Sequence, residues 1–397
     1  MEKLNPVKIA VVGCGMISNI YIKNMKHLFS ITDVVALCNR SPEKAVEKAE
    51  QYGIPRVMRF EEVLEDPEIE LVVNLTSPDA HYDIIRRALL AGKHVYTEKM
   101  LCPTFEQGRE LVRIAKDRGV RLGVAPDTFL GAGLQTARKV IDGGFIGEVT
   151  SALVSVNRDH ALASEIFTFL RGEGAGFPYD IGVYYIAALL SLMGPVKKIT
   201  GFSTAIHPVH QGQFLYKGNY GKEWEMADRN VQVGSLLFES GAVGSVHFNG
   251  ESVNTNFPLI MLFGTEGYLS IGDPDGYAAS VTLTRKEEGS CQIPFTHGFK
   301  GSPVYGEPTP FDQSGGHRGL GVAEMCWSIR KDRPHRCSME LGLHTMEVVL
   351  GINQSSDTGR VYDMTTTFER PRALPSGYLS CEFNGTFRSD SEYSLTI

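Results

Sequence analysis

Short apolar runs, rich in β-branched residues, recur along the first third of the chain: 7–13 (VKIAVVG), 33–38 (DVVALC), 70–76 (ELVVNLT), 93–98 (KHVYTE) and 120–125 (VRLGVA). They lack polar alternation, the pattern of strands buried on both faces. Helix signals lie between them. The clearest is Ser41-Pro42-Glu43, which offers an N-cap, a first-turn proline and a carboxylate at the positive end of a helix. Strand, helix, strand repeated in this way predicts a parallel, doubly wound sheet. After about residue 128 the pattern changes. A helix at 133–144 (GLQTARKVIDGG) ends in a glycine pair, and longer, more alternating strands follow at 148–157, 197–206, 230–240, 242–250, 258–272 and 279–287. Turns such as Glu239-Ser240-Gly241 and Gly272-Asp273-Pro274 separate them. This predicts a large, open, mainly antiparallel sheet with one covered face. The tail from about 371, with Pro371, Pro375 and Gly377, reads as irregular chain that wraps the body or a neighbouring subunit.

Length and composition fit this two-part reading. The 397 residues exceed one ordinary core, and 42% hydrophobic with 21% charged residues describes a soluble, packed protein. The net charge is −7, without a block of like charges, so neither nucleic acid nor a membrane surface is expected as partner. The N-terminus runs straight into a strand pattern without a signal peptide, and no apolar run reaches bilayer length. Seven scattered cysteines without a CxxC pair read as reduced thiols in a cytoplasmic protein with no metal site. A small-molecule substrate is the expectation.

Gly13-Cys14-Gly15-Met16-Ile17-Ser18 follows the first strand and opens a helix, where a dinucleotide fingerprint must sit. Gly13 permits the tight turn, Gly15 lets backbone approach a pyrophosphate, and the small Ser18 allows close helix packing. Residues 1–128 are therefore expected to form a Rossmann dinucleotide-binding domain, and 129–397 an α/β domain that binds substrate. The second strand ends in Asn39 and Arg40 where an NAD-binding acid often stands. Asn39 can still bond a ribose hydroxyl, and Arg40 can pair with a 2'-phosphate or lie as a solvated residue at a helix start. Taken alone, this leans toward NADP. Two further segments follow later strands: Thr76-Ser77-Pro78-Asp79-Ala80-His81, contributing Thr76, Pro78 and His81, and Thr97-Glu98-Lys99-Met100, in which Glu98 could hold ribose hydroxyls and Lys99 reach the cleft.

Together with APDTFLGAGLQTARKVIDGGFIG (125–147) and YDIGVYY (179–185), these segments resemble the glucose-fructose oxidoreductase / inositol dehydrogenase / MocA family over nearly the whole chain. The resemblance implies a Rossmann domain holding NAD or NADP, and sugar, cyclitol or related carbohydrate-like substrates. It also implies a second domain whose open sheet often serves as an oligomer interface, so a homo-oligomer, dimer or tetramer, is expected. The family has a Glu-Lys-Pro motif and an Asp-x-x-x-His motif. Glu98 and Lys99 match the first, with Met100 in place of its proline; Asp180 matches the second, with Tyr184 in place of its histidine.

In such enzymes lysine and histidine bracket the substrate carbinol. Asp180 and Tyr184, four apart, are expected on one helix face toward the nicotinamide. A phenol is a poor base at neutral pH unless a cation favours phenolate, and Lys99 is such a cation. Tyr184 then takes the proton, or it only positions substrate while Lys99, Asp180 or His160 handles the proton. Tyr185, off that face, is expected in the core. Lys99, His160, Asp180 and Tyr184 are the expected substrate contacts. The primary expectation is an NAD(P)-dependent oxidoreductase acting on a secondary hydroxyl or ketone. The alternatives are redox-assisted glycoside cleavage with tightly held nicotinamide, and a nucleotide-binding regulator without chemistry.

Overall fold

The computed structural model describes residues 4–214, 218–253, 260–300 and 316–375; Gly377 and Cys381 lie outside them. The five apolar runs of the first third form five strands of a six-stranded parallel sheet, β1 (Val7–Val12), β2 (Thr32–Cys38), β3 (Arg56–Val57), β4 (Leu71–Asn74), β5 (His94–Thr97) and β6 (Leu122–Val124), in which the two-residue β3 is a strand that no apolar run marked. Their order is β3-β2-β1-β4-β5-β6. The chain thus winds outward to both sides of the β1/β4 pair, leaving a crevice at the strands' carboxyl ends. The intervening helices are α1 (Ser18–His27), α2 (Pro42–Tyr52), α3 (Phe60–Glu65), α4 (Pro78–Leu90) and α5 (Phe105–Arg118). Ser41 precedes α2 as its N-cap residue, although its hydroxyl caps nothing, and Gly53 at φ +61° closes the helix.

The second half is built on nine strands in the order β16-β15-β14-β13-β7-β12-β11-β8-β17. In chain order its elements are α6 (Ala132–Asp142), β7 (Val149–Asn157), α7 (His160–Ile166), α8 (Val183–Met193), β8 (Val196–Thr204), a small pair β9 (Val209–Gln211) and β10 (Glu223–Glu225), β11 (Val231–Phe238), β12 (Val243–Asn249), β13 (Ile260–Gly264), β14 (Gly267–Ile271), β15 (Val281–Arg285), β16 (Gly289–Gln292), α9 (Leu320–Lys331), α10 (Met339–Thr358) and β17 (Tyr362–Asp363). Among the described residues of this sheet only β7 and β12 pair in parallel. The described part of the long run at 258–272, from Ile260 onward, is a hairpin, not one strand, because Thr265 and Glu266 turn between β13 and β14.

One face of this sheet carries α10, against which α8 packs. A Cβ on Gly234 would come within 3.0 Å of Ile352 in α10, so the glycine lets the long helix lie close on the strands. The other face exposes Leu153, Phe202, Val233 and Val243. Helix α9 returns to the parallel sheet, where Arg330 bonds Glu70 and the carbonyls of Asn5 and Pro6. The described part of the tail wraps the body: Arg138 Nη1 donates to the Pro371 carbonyl (2.9 Å), and Leu374 N–H to Gln135 Oε1 (2.7 Å). Among the described residues, six cysteines are free thiols. Among the described residues no helix is long and apolar enough to cross a membrane.

Candidate active site

The crevice begins with backbone. Gly13 adopts φ +101°, and a Cβ there would lie 2.7 Å from the Leu75 carbonyl, so this turn requires glycine. A Cβ on Gly15 would meet nothing within 4 Å; the second glycine opens onto free space. Ser18 donates to the Gly15 carbonyl (2.7 Å). Met16 is exposed, Ile17 leads into α1, and no side chain caps the helix. The start of α4 at Pro78 is likewise uncapped by a side chain. A helix start without a side-chain cap, beside the open backbone at Gly15, fits a dinucleotide pyrophosphate.

The neighbouring side chains divide into those facing outward and those bracing loops. Asn39 is a brace: its Oδ1 accepts the Cys14 N–H and its Nδ2 donates to the Ser41 carbonyl, both at 3.0 Å. Arg40 is exposed and forms no ion pair among the described residues. Thr76 turns its N–H (3.3 Å) and hydroxyl (2.8 Å) onto Asn74. His81 is buried, with Nδ1 2.5 Å from the Met100 carbonyl and Nε2 3.0 Å from that of Thr76. Two acceptors would suit a doubly protonated ring, but burial, the larger effect, lowers its pKa; the ring is neutral and donates to one of them. His81 is thus lodged between the Thr76 and Met100 loops, with a carbonyl against each ring nitrogen. Glu98 is also buried, accepting the Tyr21 hydroxyl (2.8 Å) and the Lys99 N–H (2.9 Å).

Lys99 links the two halves. It follows β5, its peptide bond to Met100 is cis, and its ammonium donates to the Asp180 carboxylate and to the Asp180 carbonyl (3.1 Å). The same ammonium stands 5.5 Å from the Tyr184 ring centroid, and the Arg318 guanidinium stands at 5.5 Å from that ring as well. Asp180 lies in a π-helical turn, Pro178–Gly182, so the α-helical register does not run unbroken from Asp180 to Tyr184. Their common contact with Lys99 brings them to one site. Tyr184 is 3% exposed, and among the described residues its hydroxyl has no hydrogen-bond partner. Burial raises its pKa; Arg318 and Lys99 pull the other way without cancelling the rise, so the phenol is neutral. For Lys99, burial lowers the pKa, but the charges of Asp180 and its neighbours outweigh it, and the amine is an ammonium.

Tyr185 is fully buried, its hydroxyl donating to Asp273 (2.9 Å). Asp273 pairs with Arg158 (2.7 Å); Asp275 pairs with Arg158 (3.4 Å) and Arg318 (3.3 Å). This network beneath Tyr184 joins α8, the β14–β15 turn, the end of β7 and the approach to α9. Sequence reasoning took Asp273 as turn punctuation and passed over Asp275. Two carboxylates within three residues of a turn were the available signal. His160 opens α7, buried against Phe177 with ring centroids 5.5 Å apart.

Residues 7–125 match the oxidoreductase family model described as an NAD-binding Rossmann fold, and 134–270 match the family's C-terminal domain model. The chain belongs to the Gfo/Idh/MocA oxidoreductase family. Among Gfo/Idh/MocA relatives, an uncharacterised oxidoreductase of Schizosaccharomyces pombe is 31% identical over 199 residues, 49% of this chain and 54% of that one; the match thus spans about half of that relative. The scyllo-inositol 2-dehydrogenase (NADP(+)) of Bacillus subtilis is 23% identical over 90% of this chain and 96% of its own. A solved levoglucosan dehydrogenase, in complex with NADH and L-sorbose, superposes with a TM-score of 0.76 at 19% identity, covering 91% of this chain and 99% of that one. At that identity the superposition speaks for the Gfo/Idh/MocA fold.

Proposed function

We propose that the protein transfers a hydride between NAD(P) and a secondary hydroxyl or ketone of a sugar or cyclitol, with Lys99, Asp180 and Tyr184 at the reacting carbon. One observation carries this reading: an ammonium from the end of a dinucleotide-sheet strand is shared between Asp180 and the ring of Tyr184, at the junction of the two halves. In this reading residues 1–128 bind the dinucleotide and 129–397 the substrate, with α9 returning to the first unit. Gly13, Gly15, Met16 and Ile17 receive the pyrophosphate. Arg40, beside the uncharged Asn39, suits the 2'-phosphate of NADP. The nicotinamide, when bound, accepts or supplies the hydride. Lys99 donates a hydrogen bond to the carbinol oxygen, Asp180 holds Lys99 there, and the neutral Tyr184 phenol donates a second bond that strengthens as charge develops on that oxygen. The names of the relatives support a polyol substrate. The open face bearing Leu153, Phe202, Val233 and Val243 suits a second copy of the chain, making a homo-oligomer. The free thiols suit the cytoplasm.

The test is nicotinamide reduction on scyllo-inositol, levoglucosan and other polyols with NAD+ or NADP+. Turnover that falls in Tyr184→Phe supports the reading. Cofactor binding without turnover on any polyol favours a regulator. Nicotinamide retained through purification without net consumption favours glycoside cleavage.

A further inference from the structure

Hydride transfer from an alcohol leaves a proton to be removed, and neither Lys99 nor Tyr184 is free to take it. Lys99 is already an ammonium on Asp180, and Tyr184 is a neutral phenol whose buried ring resists ionisation. We propose that His160 is the proton acceptor in oxidation and the donor in reduction. The inference rests on the hydride-transfer reading above.

His160 is 2% exposed, and among the described residues neither ring nitrogen has a hydrogen-bond partner; Nε2 is fully buried. An unpaired buried ring nitrogen calls for a partner, and a substrate hydroxyl supplies one. The ring is held in place: His160 N–H donates to the Gly250 carbonyl (2.9 Å), and a Cβ on Gly250 would lie 3.1 Å from His160 and 2.7 Å from Phe177, so the glycine admits both rings. Phe177 is three residues before Asp180. Four groups act on the imidazole from the elements around it: Asp180 from the turn before α8, Lys99 from the loop after β5, His210 from β9, and Glu251 just after β12. Burial is the largest influence and lowers the pKa, keeping the ring neutral and able to accept at pH 7.

The step balances. The carbinol C–H bond breaks with its electron pair passing as hydride to the oxidised nicotinamide, the O–H pair becomes the second C–O bond, and the proton forms an N–H bond on His160. Glu251 and His210, both of which act on His160, belong to a polar cluster that reaches solvent at His207. Glu251, bridged to Asp159 through the backbone, has carboxylate oxygens 3.4 Å from His210 and 3.0 Å from His207, which is exposed.

Two measurements on the full-length protein decide the matter. Histidine labelled with 15N is titrated by NMR, the His160 signal being identified by its loss in His160→Gln. The ring is expected neutral at pH 7, protonating only below 6.5; protonation at or above pH 7 overturns the inference. In the polyol assay, His160→Gln and His160→Asn are expected to lose roughly 10²- to 10⁴-fold in kcat/KM and the acid limb of the pH profile. If one of these variants keeps the native kcat/KM and the native profile, His160 is not the acceptor, while hydride transfer stands. If native protein turns over no polyol, the hydride-transfer reading fails and takes this inference with it.

Discussion

The proposed dinucleotide crevice is made of backbone and the proposed reaction site of side chains. At Gly13 and Gly15 the chain contributes a turn and open space, while its side chains there either brace loops, as Asn39 and His81 do, or point outward, as Arg40 does. At Lys99, Asp180 and Tyr184 the reverse holds: charged and aromatic side chains from two distant segments must meet within hydrogen-bond or stacking range. A backbone site tolerates unusual residues wherever the path is preserved, so serine at the third fingerprint position is harmless. A side-chain site changes chemistry with one residue, so tyrosine in the family's histidine position matters.

Substitutions separate the two. Asp180→Asn removes the charge that holds the Lys99 ammonium and is expected to lower kcat/KM by roughly 10²- to 10³-fold in the polyol assay, with cofactor affinity little changed. Gly13→Ala forces a side chain into the Leu75 carbonyl at a positive φ. It should cost about 2–4 kcal/mol in denaturant unfolding and weaken cofactor binding as well. Gly15→Ala meets no atom of the protein, so its unfolding midpoint should stay native while calorimetry shows dinucleotide affinity reduced about tenfold. Equal destabilisation by both alanines would break the comparison. Arg40→Ala is expected to weaken NADP+ about tenfold and NAD+ hardly at all.

Acid sharpens the comparison in a smaller way. Burial lowers the pKa of His94, His317, His335 and His344 to about 4 each. The unfolded chain therefore binds more protons between pH 6.5 and 4, and stability falls as pH drops through that window, by about 1–3 kcal/mol for a well-buried histidine. Three of the four lie in the second half. His344 Nε2 accepts the Val196 N–H (3.0 Å), a bond that protonation abolishes. Thermal unfolding of His344→Gln should show a shallower acid slope.

The parallel sheet was legible because its strands are apolar on both faces and its turns carry glycine and proline signals within a few residues. The open sheet was legible in outline; its hairpin at Thr265–Glu266 was hidden inside one continuous apolar run. In the site, Lys99, Asp180 and Tyr184 could be named from spacing and resemblance, but the π-helical turn between the last two has no sequence period of its own. The bracing roles of Asn39 and His81 depend on partners 25 and 19 residues away, and Asp275 on Arg158 and Arg318 at 117 and 43. Such contacts are set by tertiary packing, which local pattern does not encode.

Lys99→Met, compared with native protein for turnover on scyllo-inositol or another accepted polyol and for cofactor affinity by calorimetry, tests the central claim most directly. The account predicts a loss of roughly 10³-fold or more in kcat/KM with cofactor affinity preserved within about threefold. Native turnover in the variant would contradict it.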